Sequence, residues 1–428
     1  MTKNLRSVVL VNPCLSSSLS GGVGQPLGLL NIAAVLRKHG YFVCIIDANV
    51  YEMSVEDTVL KLMQTRPDIV GFTVNTPSIE YVLNVARAVK HALPKTRIVL
   101  GGIHATIFCE ELCNLYYVDS VVKGEGDIAV LDAVESDGVF EKKVVDLDLL
   151  PIPAWDLIDL ADYRNYIVDG KFAMLMASRG CPHSCIFCGA SLMCGKKTRY
   201  RSSFHIEHEL ATLRKHNVKW LLFEDDTFTL NKNWVYEVCE ILKDNKFRWW
   251  CNTRVDALDE GLLKNMKASG CEGVCVGVET GNQTILDTLK KGINLEQIED
   301  GVELIKDCGL KSYGYFMIGN LDDTSKTIRE TINFAKRLPL TFAQFTICTP
   351  FPATELYRIA QERGLVNETV DWKSFDWGAE PPNVSLVSVE ERRLWYKRAI
   401  REYYLRPKKL LSNLSLKGLK AGWRMIKK

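Results

Sequence analysis

The stretch SRGCPHSCIFCGA, residues 178–190, places Cys181, Cys185 and Cys188 at the spacing C-x3-C-x2-C. It directly follows FAMLMAS (172–178), an apolar run that predicts a buried β-strand. Three thiolates on one loop can wrap one face of a cubane iron–sulfur cluster and leave one iron without a protein ligand. A small molecule can bind that open iron. The motif therefore predicts a metal cluster at the carboxyl end of a strand.

A structural zinc site is the main alternative for these cysteines. Such a site usually has four protein ligands, most often as paired short spacings. His183 lies inside the loop, but no matching pair follows it at a clear spacing. Three unrelated buried cysteines are a weaker alternative, because the loop is flanked by glycine. Four further cysteines are not arranged as a second motif, so one cluster is expected: Cys194, Cys251, Cys271 and Cys348.

The cysteine motif opens a series of alternating strands and helices. Apolar runs predict strands at 172–178, 218–226, 247–255, 273–280, 311–319 and 341–347, with helical patterns between them. Six such units predict a partial (β/α)6 TIM-like barrel over 171–348, with its chemistry at the strand carboxyl ends.

A separate alternation precedes the barrel. Predicted strands at 7–13, 42–47, 68–74, 97–102 and 118–126 indicate a doubly wound parallel sheet over 1–135, which binds ligands at its strand carboxyl ends. The stretch 136–170 is acidic and proline-rich and is interpreted as a linker. The C-terminal region, 349–428, contains a predicted helix that a capping box of Ser388 and Glu391 opens. The expected fold class is therefore α/β, with a helical C-terminal tail.

Composition limits the classes of function. The net charge of +2 gives no reason to expect nucleic-acid binding. No apolar run is long enough for a signal peptide or a membrane span, so we expect a cytoplasmic protein with reduced thiols. Most other cysteines are interpreted as small buried apolar residues, among them Cys44, Cys239, Cys275 and Cys308.

The cysteine motif, at the end of the first of six strands, resembles the radical S-adenosylmethionine superfamily over roughly residues 170–348. The resemblance implies a [4Fe-4S] cluster whose open iron chelates S-adenosylmethionine, and an electron donor such as flavodoxin or ferredoxin. One electron then cleaves S-adenosylmethionine to a 5′-deoxyadenosyl radical. The positions that match cofactor-lining motifs of the superfamily are Phe187 before the third cysteine, Asp225 and Asp226 in FEDDTF (223–228), Arg254 in CNTRVD (251–256), Glu279 in GVETG (277–281) and Gly319 in GYFMIG (314–319).

Structural roles remain as alternatives for some of these positions. Asp225 and Asp226 could cap the following turn, a common use of aspartate, and Arg254 could form a surface ion pair. Function is favoured because each residue lies at the carboxyl end of a predicted strand.

The N-terminal region and the linker resemble the cobalamin-binding radical S-adenosylmethionine enzymes. The resemblance rests on NPCLSSS (12–18), the run from Pro26 to Asp47, FTVNTPS (72–78), GGIHAT (101–106), KGEGD (123–127) and LDLLPIPAWDLIDLADY (147–163). It implies cobalamin as a cofactor. Glycine turns let backbone approach such a ligand closely, and polar side chains can bind its amides or tail. The candidate positions are Thr73, Thr76, Gly101, Gly102, His104, Gly124 and Glu125.

The sequence departs from one cobalamin pattern. The D-x-H-x-x-G motif, whose histidine replaces the lower axial base of cobalt, is absent. His104 is a candidate for that ligand, although a histidine beside glycine is more often a hydrogen-bonding residue. A degenerate domain that only supports the barrel is the structural alternative.

The resemblance implies a radical methyltransferase that acts on an unactivated carbon of a small-molecule or lipid-like substrate. A ring formation, contraction or rearrangement is the alternative reaction, and a non-catalytic metal-binding protein is the alternative of another class. The segment 406–428 alternates basic residues with leucines and Trp423. It could lie on an anionic membrane as a peripheral contact, or pack on the barrel as a terminal helix.

Overall fold

A computed structural model describes residues 5–15, 23–165, 167–366, 371–376, 379–406 and 409. The elements of its N-terminal part are β1 (Ser7–Asn12), α1 (Leu27–Lys38), β2 (Phe42–Asp47), α2 (Val55–Thr65), β3 (Ile69–Thr73), α3 (Ile79–Ala92), β4 (Arg97–Gly101), α4 (Ile103–Ile107), α5 (Cys109–Cys113), β5 (Ser120–Lys123), α6 (Gly126–Ala133) and β6 (Gly138–Glu141).

The elements of the second part begin after the linker. They are β7 (Phe172–Leu175), β8 (Ser178–Arg179), α7 (Ala190–Cys194), β9 (Arg199–Tyr200), α8 (Ser203–Lys215), β10 (Trp220–Phe223), α9 (Lys232–Asn245), β11 (Arg248–Thr253), α10 (Glu260–Ala268), β12 (Cys271–Glu279), α11 (Gln283–Thr288), α12 (Leu295–Asp307), β13 (Lys311–Ile318), α13 (Ser325–Arg337), β14 (Phe342–Ile347), α14 (Glu355–Glu362) and α15 (Val389–Tyr404).

The N-terminal sheet is parallel throughout, in the order β2-β1-β3-β4-β5-β6. Both faces of β1 are buried: Val9 and Val11 pack in a core with α2 and α3, whereas Val8 and Leu10 pack in another with α1 and α6. The predicted doubly wound sheet is therefore confirmed. Strand order reverses between β1 and β3, and a sheet of this type binds ligands beyond the carboxyl ends at such a point.

The second sheet has the order β14-β13-β12-β11-β10-β7, and its neighbours are all parallel. Along β12, Val274, Val276 and Val278 pack outward against the helices, whereas Cys275 faces a second apolar cluster inside the curved sheet. Consecutive strands with helices on one side form the predicted partial barrel, and each inward position alternates with an outward one.

Two elements differ from the sequence expectation. The first barrel strand was expected to run through residue 178 but ends at Leu175, because the buried Asp225 carboxylate accepts the backbone N–H groups of Ala177 and Ser178. The backbone then turns into the short β8–β9 pair instead of continuing the sheet. In addition, the predicted linker contains β6, which pairs with β5 and extends the N-terminal sheet.

Buried polar contacts join the two parts. The Gln25 side chain donates to the Phe172 carbonyl oxygen (3.0 Å) and accepts from the Met174 N–H (3.0 Å), both in the first barrel strand. The Tyr163 hydroxyl in the linker donates to Asp47 Oδ2 at the end of β2 (2.8 Å). The linker therefore packs between the N-terminal sheet and the barrel.

The predicted C-terminal helix is present as α15. Ser388 Oγ accepts the Glu391 N–H at 3.1 Å, as expected for its N-cap. The Glu391 carboxylate does not complete the capping box but binds Ser325 Oγ on α13. Apart from Arg406 and Lys409, the basic segment 406–428 lies outside the described residues, so its helix stays a prediction.

The cysteines and the helices have two further general features. All fourteen cysteines are among the described residues, and all are free of disulfides. No helix in the described ranges combines the length and hydrophobicity needed to cross a bilayer.

Candidate functional site

The three motif cysteines lie on the loop between β8 and α7. Cys181 and Cys185 are half-buried and Cys188 is exposed. The Cys188 sulfur accepts the Ala190 N–H at 3.5 Å. Among the described residues, no three His, Cys, Asp or Glu side chains meet around a single metal ion. Three thiols on one loop are the donor type that iron–sulfur clusters use, so the residues present fit such a cluster.

Close backbone packing shapes the loop. Gly180 has a left-handed φ of +100°, and a Cβ there would lie 2.6 Å from the Lys197 carbonyl oxygen. Further along, the Ile186 N–H donates to the Leu289 carbonyl oxygen (3.1 Å), and the Leu356 N–H donates to the Ile186 carbonyl oxygen (2.8 Å). The loop is thus anchored to the end of α11 and the start of α14.

The two aspartates of FEDDTF bind the backbone that immediately precedes the cysteines. Asp225 is fully buried and accepts hydrogen bonds from Ala177 and from both the N–H and the hydroxyl of Ser178. Its burial raises its pKa to about 7. The Gly180 N–H donates to Asp226, whose pKa is also raised by burial. Both carboxyl groups therefore fix the backbone that leads into the cysteines.

Charged residues gather beside the cysteine loop. Glu279 and Lys291 form a buried ion pair, with Lys291 Nζ 2.8 Å from Glu279 Oε1. The Lys291 ammonium lies 6.0 Å from the ring centre of Phe187. Arg254 donates to the Lys291 carbonyl oxygen (2.8 Å) and pairs with Asp256 (2.9 Å). These groups can hold a ligand that carries both amino and carboxylate groups.

The same cations act on the cysteines. Burial raises the pKa of Cys185, and the positive charges of Lys291 and Arg254 oppose that effect. Burial is the main cause that lowers the pKa of His183, and the positive charges of Arg254 and Lys291 lower it further.

Sequence reasoning did not identify Lys291. It follows α11 in the stretch TLKKG (288–292), where no predicted strand ends. The available signal was a lysine placed between Leu289 and Gly292, directly after a short helix. Such a pattern is typical of an exposed helix end, so burial of this ammonium required the tertiary structure.

The absence of a side chain at Gly319 makes room for a close internal contact. Its φ is +78°, and a Cβ there would lie 2.5 Å from the Cδ of the fully buried Arg392. The Arg392 guanidinium reaches Glu380 and the Pro381 carbonyl oxygen, each at 2.6 Å. Close approach of an arginine therefore explains this glycine.

The carboxyl ends of β3, β4 and β5 carry the N-terminal candidates. Thr73 ends β3 and Gly101 ends β4. Gly102 has a φ of +98°, and a Cβ there would lie 2.9 Å from the Val74 backbone. The Thr106 hydroxyl donates to the Gly102 carbonyl oxygen and accepts the Gly124 N–H, both at 2.9 Å. Thr106, which sequence reasoning missed, thus joins the two glycine turns.

His104 and Thr76 are buried within this domain. His104 Nδ1 lies 3.2 Å from Thr76 Oγ1, and the imidazole packs against the rings of Phe108 (4.6 Å) and Trp372 (5.3 Å). Burial lowers the pKa of His104 to about 4. These contacts agree with the hydrogen-bonding role considered for this histidine. Trp372 belongs to the C-terminal region, which therefore covers part of the N-terminal domain.

Glu125 joins the N-terminal domain to the cysteine loop. Its carboxylate binds Arg179 (3.0 Å) and Arg199 (2.7 Å), which lie on β8 and β9 on either side of that loop. Asp127 binds Arg179 as well, at 2.6 Å. All four side chains are almost fully buried. We call these four residues the interdomain ion network.

The network brings two candidate regions together. A Cβ added to Gly124 would lie 3.9 Å from the Met193 carbonyl oxygen on α7. Thr106 Oγ1 is 3.4 Å from the Met193 sulfur. The KGEGD loop of the N-terminal sheet is therefore packed against the helix that follows the cysteines.

The predicted site residues fall into three groups. Those beside or beneath the cysteine loop are Phe187, Asp225, Asp226, Arg254 and Glu279. Gly101, Gly102, Gly124 and Glu125 lie on the turns that face it, with Thr73 at the end of the adjoining strand. Thr76 and His104 lie under Trp372, and Gly319 lies under Arg392.

Two family models match the chain. The B12 binding domain matches residues 18–134, and the radical SAM superfamily matches residues 175–335. An uncharacterized methyltransferase of Pyrococcus horikoshii is 32% identical over 95% of this chain and 94% of its own length. The anaerobic magnesium-protoporphyrin IX monomethyl ester cyclase of Rubrivivax gelatinosus is 28% identical over 83% of this chain and 69% of its own.

Similarity to solved structures extends over nearly the whole fold. The structure of the cobalamin-dependent S-adenosylmethionine radical enzyme OxsB, with aqua-cobalamin and S-adenosylmethionine bound, aligns with a TM-score of 0.75 at 16% identity. The alignment covers 98% of this chain and 72% of OxsB. Together with the buried contacts between the two domains, these matches show that the chain belongs to the radical S-adenosylmethionine enzymes that carry an N-terminal B12-binding domain.

Proposed function

We propose that this enzyme transfers a methyl group to an unactivated carbon atom of a small-molecule substrate. The supporting observation is the interdomain ion network, which fixes the KGEGD loop of the B12-binding domain against the cysteine loop of the barrel. A methyl donor and a radical source must both reach one substrate, and this contact keeps their two domains in one fixed arrangement.

Each cofactor has residues that fit it. Cys181, Cys185 and Cys188 would bind a [4Fe-4S] cluster. Glu279, Lys291 and Arg254 would orient S-adenosylmethionine, whose amino and carboxylate groups complement that mixed set of charges. Cobalamin would bind beside the glycine turns that Thr106 joins, at the carboxyl ends of the N-terminal strands.

When bound, the cluster would pass one electron from a reductant to S-adenosylmethionine, cleaving it into methionine and a 5′-deoxyadenosyl radical, and cobalamin would carry the methyl group. The chain itself positions the reactants and excludes water. The phenyl ring of Phe187 and the buried Glu279–Lys291 pair close one side of the cysteine loop. The packed linker closes the opposite end of the barrel, where Tyr163 and Val168 are buried.

Isotope labelling tests the proposal. The anaerobically reconstituted protein is incubated with dithionite, S-adenosylmethionine bearing a trideuterated methyl group, and a metabolite extract. Methylation consumes two S-adenosylmethionine molecules, so 5′-deoxyadenosine, S-adenosylhomocysteine and a trideuteromethylated product are expected in equal amounts. 5′-Deoxyadenosine and S-adenosylhomocysteine without a labelled product would contradict it.

A rearrangement or ring formation without methylation is the second candidate. It is favoured by the similarity to a relative named as a cyclase. The same experiment separates the two reactions, because a cyclisation gives 5′-deoxyadenosine and an unlabelled altered product without S-adenosylhomocysteine.

A further inference from the structure

The interior of the barrel contains a cavity of about 150 Å³. It is lined by side chains of β10 to β14 and by two linker residues, and its polar groups include Glu224, Asn252, Cys275 and Gln344. The rings of Trp250 and Tyr315 form part of its wall. An engineered protein cavity of about this size accommodates benzene, so a ring-sized ligand can enter.

The cavity lies along the barrel axis below the charged pair beside the cysteines. Cys275 precedes Glu279 by four residues on β12, which is about 13 Å along a strand. Gly277 lies between them, and a Cβ there would come within 2.3 Å of Glu279 Oε1 and 2.6 Å of Lys291 Nζ. A substrate anchored in the cavity would therefore extend toward the cysteine loop.

The charge of this cavity is one-sided. Glu224 is its carboxylate, and no Lys, Arg or His is among its lining residues, all of which the structure describes. Asn252 Nδ2 donates to Glu224 Oε2 at 3.3 Å, and burial raises the pKa of Glu224. A half-buried carboxylate that faces a neutral amide lacks the compensating cation that such a charge ordinarily has.

Two aromatic side chains of the wall contribute rings to it and offer no free donor. Trp250 is almost fully buried, and its Nε1 has almost no accessible surface and makes no hydrogen bond within the described residues. Tyr313 is already paired through its hydroxyl with Gln344 (2.9 Å).

We propose that this cavity binds a protonated amino group of the substrate, with Glu224 as its counter-ion. The faces of Trp250 and Tyr315 would attract the same cation. A phosphate or carboxylate would meet Glu224 with no cation to offset the repulsion. This assignment rests on the proposed function only in naming the ligand as the substrate.

Three probes of matched shape test the assignment: benzylamine, benzyl alcohol and benzoate. Their dissociation constants for the reconstituted holoenzyme are measured at pH 7 by ligand-observed NMR, without reductant or turnover. Benzylamine is expected to bind at least tenfold more tightly than benzyl alcohol, and benzoate is expected to show no binding. Equal binding of the alcohol, or binding of benzoate, would overturn the assignment.

Variants locate the binding. The near-isosteric Glu224→Gln is expected to weaken benzylamine at least tenfold and leave benzyl alcohol unchanged. Glu303→Gln, on the exposed surface of α12, is the control and should alter neither constant. Unchanged benzylamine binding by Glu224→Gln would exclude this carboxylate as the counter-ion. Because no chemistry is required, amine binding and methyl transfer can succeed or fail separately.

Discussion

The ion pair of Lys291 and Glu279 is buried beside the cysteine loop. We expect Lys291→Met to weaken S-adenosylmethionine binding at least tenfold, or about 1.4 kcal/mol, because a charge-assisted contact to the cofactor is lost. Equilibrium binding to the reconstituted protein measures this. The substitution also leaves the Glu279 charge unpaired. The iron content of the variant should therefore be measured, to check that it still folds and binds its cluster.

Lys290 provides the control at the neighbouring position. It forms an exposed ion pair with Glu355, so Lys290→Met should change the affinity little. If both variants bound S-adenosylmethionine equally well, Lys291 would not contact the cofactor.

His104 makes stability depend on pH. Its folded pKa is about 4, whereas an unperturbed histidine has a pKa of about 6.5. Between these values only the unfolded chain takes up the proton. The stability that the neutral imidazole contributes is therefore complete above pH ~6.5 and is lost as pH falls toward ~4, by about 3 kcal/mol in all.

Unfolding in urea at a series of pH values measures this loss. His104→Gln should flatten the dependence between pH ~6.5 and ~4, whereas His91→Gln, at an exposed site on α3, should leave it unchanged. An imidazole of His104 that titrates near its ordinary value in NMR spectra would contradict the burial described.

At the scale of elements, the turn into the cysteine loop depends on Gly180. Its left-handed φ and the 2.6 Å approach to the Lys197 carbonyl oxygen exclude a side chain. We expect Gly180→Ala to displace the loop and reduce iron incorporation at least severalfold, as measured by iron and sulfide content. Gly170→Ala has a similar φ of +86° but no atom within 4 Å of its Cβ, and should retain the cluster. Equal iron contents would show that loop geometry is not limiting.

Strand positions were predictable from the sequence because buried parallel strands are continuous apolar runs. The exact strand ends were less predictable. Met176 and Ala177 continue the apolar pattern, yet the distant Asp225 accepts the backbone N–H groups of Ala177 and Ser178. Lys291 and Thr106 were missed for a related reason: each acts through contacts to residues far away in sequence.

At the scale of the whole molecule, periodicity indicated two domains but not how they meet. Glu125 is predicted to contact cobalamin, and the structure adds that its carboxylate binds two barrel arginines. The sequence of a glycine-rich turn does not indicate which residues of another domain its charged side chains will bind. The domain arrangement thus depends on contacts that no local pattern reveals.

The interdomain ion network should contribute strongly to stability. Glu125→Gln leaves the buried Arg199 guanidinium without a carboxylate, whereas Arg179 keeps Asp127, and breaking a buried pair in this way costs about 3–5 kcal/mol. The free energy of unfolding of the apoprotein measures the loss. Arg37→Gln breaks an exposed pair with Asp156 in the linker and should cost below about 1 kcal/mol. A comparable effect of the two substitutions would contradict the burial of the network.

The three motif cysteines are expected to bind a cluster that cleaves S-adenosylmethionine. The most direct measurement is 5′-deoxyadenosine formed from S-adenosylmethionine by the anaerobically reconstituted, dithionite-reduced protein. We predict product from the unchanged protein and from Cys194→Ala, a cysteine six residues beyond the motif, and none from Cys185→Ala. Absence of 5′-deoxyadenosine from the unchanged protein, or equal formation by Cys185→Ala, would contradict this role of the cysteines.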